Sequence, residues 1–460
     1  MNLDRSLLVA LPFLTFGCGQ DPAPAPAPTP APQKAAAHAT ERGVSADTPT
    51  KAAEAKVDKK RERGPLNVIL LTVDALRPFD GYSRDIAPNL SKLEKDSVVF
   101  DNHRATTSFT AQSVPAMLTG RYASTLYRSG YFFAGYTDAN EFLPEALQAK
   151  GIRTIGLQSH MYFNRGKGLD QGFDVWDMVK GITYDEKTDK FVTSEKTTST
   201  LIELLSDAKN VGGQFFAWTH YTDPHHDYIK HAEAPDYGNS PRDVYDNEVH
   251  FTDMWIGKFL TWAEKQPWWD KTAVIVSSDH GEAFGEHGLM QHAHELYEEV
   301  VRVPLIVHVP GAKPRRVKAP HTHLDLAPTI AELMGQPALP SFEGESLVPE
   351  IDGAQGKDKL IALELAADNI QEQRRAIIDG DYKLIRFGSG KGYRHKLFNL
   401  KDDPAEKQDL SKQDPDKLEE MIGKLDATFA KIPSITPFGG MKLKGGGTAN
   451  GPMKPSVAQL

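Results

Sequence analysis

Residues 273–294 read AVIVSSDHGEAFGEHGLMQHAH, and the fold is decided by how this stretch begins. Val274-Ile275-Val276 is a β-branched run of the kind found in a buried strand, and it stops at Ser277 and Ser278 before Asp279, His280 and Gly281. A strand that delivers a carboxylate and an imidazole at its carboxyl end has the form of a site. Asp279, His280, His287, His292 and His294 fall within one loop, and a hard oxygen donor beside an imidazole suits a divalent cation. A solvated, His-rich surface loop is the competing reading, and partners elsewhere in the chain decide between the two.

The same grammar recurs three times outside this loop. Asn67-Val68-Ile69-Leu70-Leu71-Thr72-Val73 leads to Asp74, Thr154–Ser159 leads to His160, and Phe215–Thr219 leads to His220, Asp223, His225 and His226. Near-continuous apolar runs of this length are expected of parallel strands covered on both faces. In an open α/β sheet ligands bind at the carboxyl ends of the strands, so the repetition gathers distant polar residues at one edge. Helical spacing over 141–149, 199–208, 247–264 and 324–334 supplies the covering helices, and 303–308 adds a further strand. Beyond about Gly356 the texture changes to short runs over 360–365, 374–379, 382–387 and 396–400, parted by Gly and Asp. These predict a small antiparallel sheet, followed by an amphipathic helix with Leu418, Met421, Ile422, Leu425 and Phe429 on one face. The expected fold class is therefore α/β, a large, mostly parallel sheet between helices with a small C-terminal antiparallel sheet and helix.

Composition narrows the function. With 53 basic against 62 acidic residues the net charge is −9, which leaves no basic surplus for nucleic-acid phosphates, and nucleic acid is set aside as a partner. The single cysteine, Cys18, precludes disulfides within the chain and leaves the folded region without a thiol, so any nucleophile is an oxygen or nitrogen group. Residues 1–18 combine Arg5, an apolar stretch from Leu7 to Phe16 and Gly17 before Cys18, which has the form of an export signal with Cys18 as a candidate lipidated anchor. Residues 19–64 are rich in Pro and Ala with almost no large apolar side chain, and are expected to form a disordered tether. The expected organisation continues with a catalytic α/β domain over 65–355, the antiparallel subdomain over 356–432 and a disordered tail over 433–460. The location that follows is exported, periplasmic or at the cell surface, tethered to a membrane.

A metal held by Asp74, Asp279 and His280 could activate a nearby hydroxyl, and the chain offers one in Thr106–Gly120, TTSFTAQSVPAMLTG. This Ser/Thr-rich stretch passes into a helix, whose N-terminus would turn backbone N–H groups and the dipole toward an anionic substrate. A plain capping cluster is the alternative for this stretch.

Taken in order, VDALR, TxxSVxxMLTG, GIRTIGLQSH, GFDVWD, DPH, SDHGEAFGEHG, LYEEVVRVPLIVHVPG, LDLAPT and LFNLKDDPAE resemble the sulfatase-like family of the alkaline phosphatase superfamily from Asn67 to about Leu410. The resemblance implies a large mixed sheet between helices with a small C-terminal antiparallel sheet. It places the metal ligands on Asp74, Asp279 and His280 and the nucleophile, also facing the metal, on Thr110, ten residues before Gly120. Substrate-contacting positions fall on His225, on His292 or His294, and on His160, whereas His220, His226 and His287 are read as structural or as supporting the ligands. Three departures matter: Thr110 stands where formylglycine-forming members carry Cys or Ser, Val114 replaces an arginine, and Ala75 replaces a second aspartate. No formylglycine is expected. A threonine ester lacks the second hydroxyl by which a hydrated aldehyde expels sulfate, so water must attack the transferred group, which phosphorus tolerates. Hydrolysis of phosphate mono- or diesters is thus favoured over sulfate esters. A phosphoethanolamine-type transferase and a non-catalytic binder of sulfated or phosphorylated polymers are the alternatives. One fewer carboxylate and a histidine shift the expected single divalent ion from Ca toward Zn or Mn.

Overall fold

The computed structural model describes residues 64–79, 85–180, 194–225, 227–388 and 392–439. The N-terminal apolar segment, Cys18, His226, all of the tether but Gly64, and residues 440–460 lie outside the described residues. Among the described residues no helix is long and apolar enough to cross a membrane.

The Asn67–Val73 strand is buried along its whole length because both of its faces are covered. Its side chains alternate: Val68 and Leu70 join Val114, Met117 and Leu118 in one hydrophobic layer, while Ile69, Leu71 and Val73 join Val249, Ile256 and Phe259 in the other. That two-sided burial accounts for a run with no polar alternation. The strand lies in an eight-stranded sheet whose order is Arg315–Val317, Val98–Phe100, Leu305–His308, Thr272–Ser278, Asn67–Val73, Phe215–Tyr221, Arg153–Gln158 and Val175–Met178. Asn67–Val73 is parallel to both neighbours, Thr272–Ser278 and Phe215–Tyr221, so the ends carrying Asp74, Asp279 and His220 share one edge. Leu305–His308 runs antiparallel to Thr272–Ser278, which makes the sheet mixed.

Three short strands of this sheet, 98–100, 175–178 and 315–317, are not foreseen from periodicity, since three or four residues carry too little pattern to declare a period. The helix expected over 247–264 spans Pro241–Ala263. Its earlier start is set by Ser240, whose Oγ accepts from Asp243 N, while Asp243 Oδ2 accepts from Ser240 N and Pro241 opens the first turn.

The C-terminal sheet is antiparallel throughout, in the order Ile361–Leu365, Arg374–Asp379, Tyr382–Phe387 and Arg394–Asn399. The Pro415–Phe429 helix covers it with Met421, Leu425 and Phe429 packed on Ala362, Ile377, Leu384 and Leu397. Residues 433–439, placed in the tail by the sequence reading, are hydrogen-bonded to the main body: Ile435 N donates to Ser124 O (2.7 Å), Phe438 N to Arg128 O (3.1 Å) and Gly130 N to Phe438 O (3.0 Å).

Candidate active site

Asp74 and Asp279, separated by about two hundred positions in the chain, meet at the strand ends around one imidazole. His280 Nε2 lies 3.3 Å from Asp279 Oδ2 and 3.6 Å from Asp74 Oδ1, and 3.0 Å from the hydroxyl of Thr110. Asp74, Asp279 and His280 are buried. His280 Nδ1 sits 2.9 Å from Gly281 O; a carbonyl only accepts, so Nδ1 carries a hydrogen, and Nε2 is the ring nitrogen that faces Thr110. Asp279 Oδ1 accepts the amides of Ala75 (3.3 Å) and His280 (3.0 Å). Its Oδ2, like Oδ1 of Asp74, is buried without a hydrogen bond. Two orphaned carboxylate oxygens facing one imidazole nitrogen form a donor set that calls for positive charge, and so they fit a divalent cation. Gly281 is required here because a Cβ at this position would strike Glu299 O, to which the next amide, Glu282 N, is bonded at 2.9 Å.

His220 stands closer to the centre than the sequence reading placed it. Its Nε2 is 3.2 Å from Asp74 Oδ2, and Asp74, His220 and Asp279 each bring a ligand atom within 4.8 Å of the other two. Its Nδ1 is 2.8 Å from Thr72 Oγ1, which also accepts from Trp218 Nε1 (3.0 Å). Burial works against a charge on His220, but the bond to Asp74 and the charges of Asp279 and Asp74 raise its pKa. Burial likewise opposes ionisation of Asp74, yet the charges of His225, His220 and His280 and the hydrogen bond from His220 hold its pKa well below the ordinary carboxylate range.

Thr110 is the first residue of the helix Thr110–Thr119, whose preceding residue, Phe109, offers no side-chain cap. The helix end is therefore open to an anion. Three anchors fix this helix. Pro115 has no N–H to give the carbonyl four residues back, and that carbonyl, Ala111 O, accepts the Tyr136 hydroxyl (2.6 Å) and that of Tyr162 (3.4 Å). Gln112 clamps the C-terminal part of the fold, donating to Ala366 O (2.9 Å) and accepting from Ala366 N (2.8 Å). Ser113 Oγ donates to Asp279 O (2.6 Å) and lies 3.0 Å from His323 Nδ1. The one hydroxyl hydrogen is spent on Asp279, so His323 Nδ1 donates to Ser113, and burial keeps that imidazole neutral by pushing its pKa down to about 3. His323 and Ser113 thus tie the helix that begins at Thr110 to the Asp279-His280 loop. Nothing in the sequence around His323 marks it for that task.

The histidines expected to contact substrate, apart from His294, form a file of rings with His280. His280 stacks on His292 (centroids 4.1 Å apart), His292 is 5.0 Å from His225, and His225 is 6.1 Å from His160. His292 Nδ1 is 3.1 Å from Glu282 Oε1, whose other oxygen accepts from Tyr228 OH (2.8 Å). Burial and then the charge of His280 lower the pKa of His292. His160 Nδ1 accepts from Tyr162 N (3.1 Å), which leaves Nε2 as its donor in the neutral ring. Of the pair His292 and His294, the former joins the file and the latter is exposed. Ala293 between them has φ 67° and its amide is bound to Ser108 O, a kink that turns its two neighbours apart.

His287, read as structural, lies flat on Tyr297 (centroids 3.8 Å, 7° between planes), with Nε2 3.6 Å from Glu299 Oε1. A buried charged network continues from there, in which Lys383 is 2.9 Å from both Glu298 and Glu406, and Arg104 forks onto Glu298. Burial, with the charge of Glu406 adding to it, pushes Glu299 from the ordinary value of 4.5 up to about 7. Because the unfolded chain releases this proton first, the native state gains most from Glu299 below about pH 4.5 and loses that gain as pH rises through about 7. His287, lowered by burial from 6.5, acts in the opposite sense, its cost to the fold growing as pH falls below that value. Glu299→Gln is expected to flatten the decline in urea-unfolding free energy between pH 4.5 and 7, and an unchanged slope would dismiss this account.

The chain and its main sheet have counterparts among known proteins. Residues 66–336, more than half of the chain, match the family model described as Sulfatase. The chain belongs to the sulfatase family. Residues 285–433 of this sulfatase-family protein also match a model described as N-sulphoglucosamine sulphohydrolase, C-terminal. A choline-sulfatase of Rhizobium meliloti is 30% identical over 173 residues, covering 37% of this chain and 33% of that protein, so the match spans about a third of the relative. The fold resembles a solved phosphonate monoester hydrolase from Silicibacter pomeroyi, with TM-score 0.64, 18% identity and coverage of 80% of this chain and 96% of that one. It also resembles a protein solved in complex with its substrate D-glucosamine-2-N,6-O-disulfate, with TM-score 0.64, 17% identity and coverage of 80% and 98%. The expected fold, a large mixed, mostly parallel sheet between helices with a small antiparallel sheet after it, is the one these neighbours share.

Proposed function

We propose that this protein is a metal-dependent hydrolase of phosphate mono- or diesters that uses Thr110 as its nucleophile. The observation that carries the reading is the convergence of the Thr110 hydroxyl, at the open end of a helix, on His280 and two carboxylates with unbonded oxygens. Asp74, Asp279 and His280 would hold the cation, with His220 beside Asp74 as a further donor. When bound, the cation would supply positive charge against the ester oxygens and lower the pKa of the hydroxyl.

The chain's own groups account for the remaining steps. Thr110 Oγ1 releases its proton to solvent and forms a bond to phosphorus as the bond to the leaving alcohol breaks, and one imidazole of the file formed by His292, His225 and His160, having taken up a proton from solvent, gives that proton to the alcohol. The same imidazoles and the helix end carrying Thr110 neutralise the anionic group. Water then attacks phosphorus, breaks its bond to Thr110 and restores the hydroxyl. The choice of phosphorus over sulfur rests on Thr110 itself, because a threonine ester has no second hydroxyl through which to expel sulfate. A panel of aryl phosphate monoester, phosphodiester, phosphonate and sulfate, each with Zn, Mn or Ca, is expected to show turnover of the phosphorus esters outpacing that of the sulfate. A preference for the aryl sulfate would reverse the assignment.

A further inference from the structure

The file of imidazoles leads away from Thr110 through His280, and a second set of rings leads away from it through Phe109. His160, at the end of the file, is joined through the Tyr162 amide to a residue whose ring is 5.6 Å from Phe133. Phe133 is in turn 6.3 Å from Phe109, the residue immediately before Thr110, and Phe132 stacks on Phe109 at 4.1 Å. The contacts therefore close into a circuit that starts and ends at Thr110, with imidazoles on one arc and benzene rings on the other.

Phe109 is buried, but Phe133 is 46% exposed. Its exposure is not that of a loose loop tip. Arg128 and Tyr136 pair across the base of the segment, and Ser129 N bonds Gly135 O (2.8 Å). Gly130 N bonds Phe438 O (3.0 Å), and Phe132 N bonds Asn369 Oδ1 (2.7 Å). Phe133 thus presents an apolar ring to water from a hydrogen-bonded frame, backed by the rings of Phe109 and Phe132. Its continuity with the residue preceding Thr110 puts it within reach of a group carried by an ester held at Thr110.

We propose that Phe133, backed by Phe109 and Phe132, is the platform of a leaving-group subsite that takes the flat face of a ring, aryl or sugar, carried by the alcohol of the ester. The proposal rests on the reading of Thr110 as nucleophile. Rings stack on such a platform through C–H and π faces, whereas a methyl group gains almost nothing from it.

The test compares Phe133→Ala with wild type on three esters of one phosphoryl group, carrying an aryl alcohol, a sugar ring or methanol. The ratio of KM for a ring ester to KM for the methyl ester is expected to rise by about tenfold in the variant. Phe133→Tyr, which keeps the ring, is expected to restore the wild-type ratio. Whichever ring shows the change identifies the source, and a change with both identifies the shared face. A ratio that stays constant, or ring and methyl esters that weaken together, would overturn the subsite while leaving Thr110 as nucleophile. A wild-type protein inactive on all three esters would overturn the hydrolase reading and the subsite with it.

Discussion

Thr110→Ala is expected to lower kcat by about 10⁴-fold or more, the scale seen when a covalent nucleophile is removed, while the protein stays folded and still binds its cation. The residue lies half-buried at the first position of its helix, and among the described residues its side-chain hydrogen bond is to His280. Truncation therefore opens little core and removes no helical hydrogen bond. The helix is held instead by Gln112 on Ala366, Ser113 on Asp279 and the two tyrosines on Ala111. Thr110→Ser keeps the attacking oxygen and is expected to retain measurable turnover. Steady-state kinetics with thermal melts on the three proteins checks this, and full turnover in Thr110→Ala would remove the residue from the chemistry. A phosphorylated peptide containing Thr110, recovered after acid quench of wild type, would report the covalent step directly.

Asp279→Asn separates the metal from the fold. Oδ1 of Asp279 accepts two amides and an asparagine carbonyl would keep both, while the new amide N–H would donate to His280 Nε2, 3.3 Å away. The substitution also removes one of the two buried carboxylates at this site that each leave one oxygen without a hydrogen bond. Without metal the variant is therefore expected to melt no lower than wild type. Wild type with cation at a hundredfold over its Kd gains about 2.7 kcal/mol, and that metal-dependent rise in melting temperature is expected to vanish in Asp279→Asn together with activity. Thermal melts with and without Zn, Mn and Ca, alongside metal content after dialysis, provide the measurement. A variant that melts like wild type with every ion would show that the cation is held elsewhere.

Much of the fold was legible because strands covered on both faces must be apolar throughout. The runs at 67–73 and 272–278 declare themselves, and each ends in a carboxylate. Strand 98–100 was not legible, since three residues make a strand only when Leu305–His308 and Arg315–Val317 are in place beside it. The antiparallel C-terminal sheet and its covering helix were legible from alternation and helical spacing over longer runs.

What the sequence by itself determined was the chemistry available. It offered oxygen rather than sulfur as a candidate nucleophile, carboxylates and imidazole at strand ends, and motifs in the order of the sulfatase family. Side-chain type and strand periodicity are local properties, and they can be read one residue at a time. The tertiary structure decided which of those groups meet. It set His220 against Asp74 across 146 positions, and it made Gln112 a clamp on Ala366 across 254. It turned His292 inward and left His294 exposed, and it laid Phe133 beside the residue preceding Thr110. Hydrogen bonds and ring contacts act over a few ångströms of space, and the chain reaches those distances only after the sheet has chosen the order of its strands.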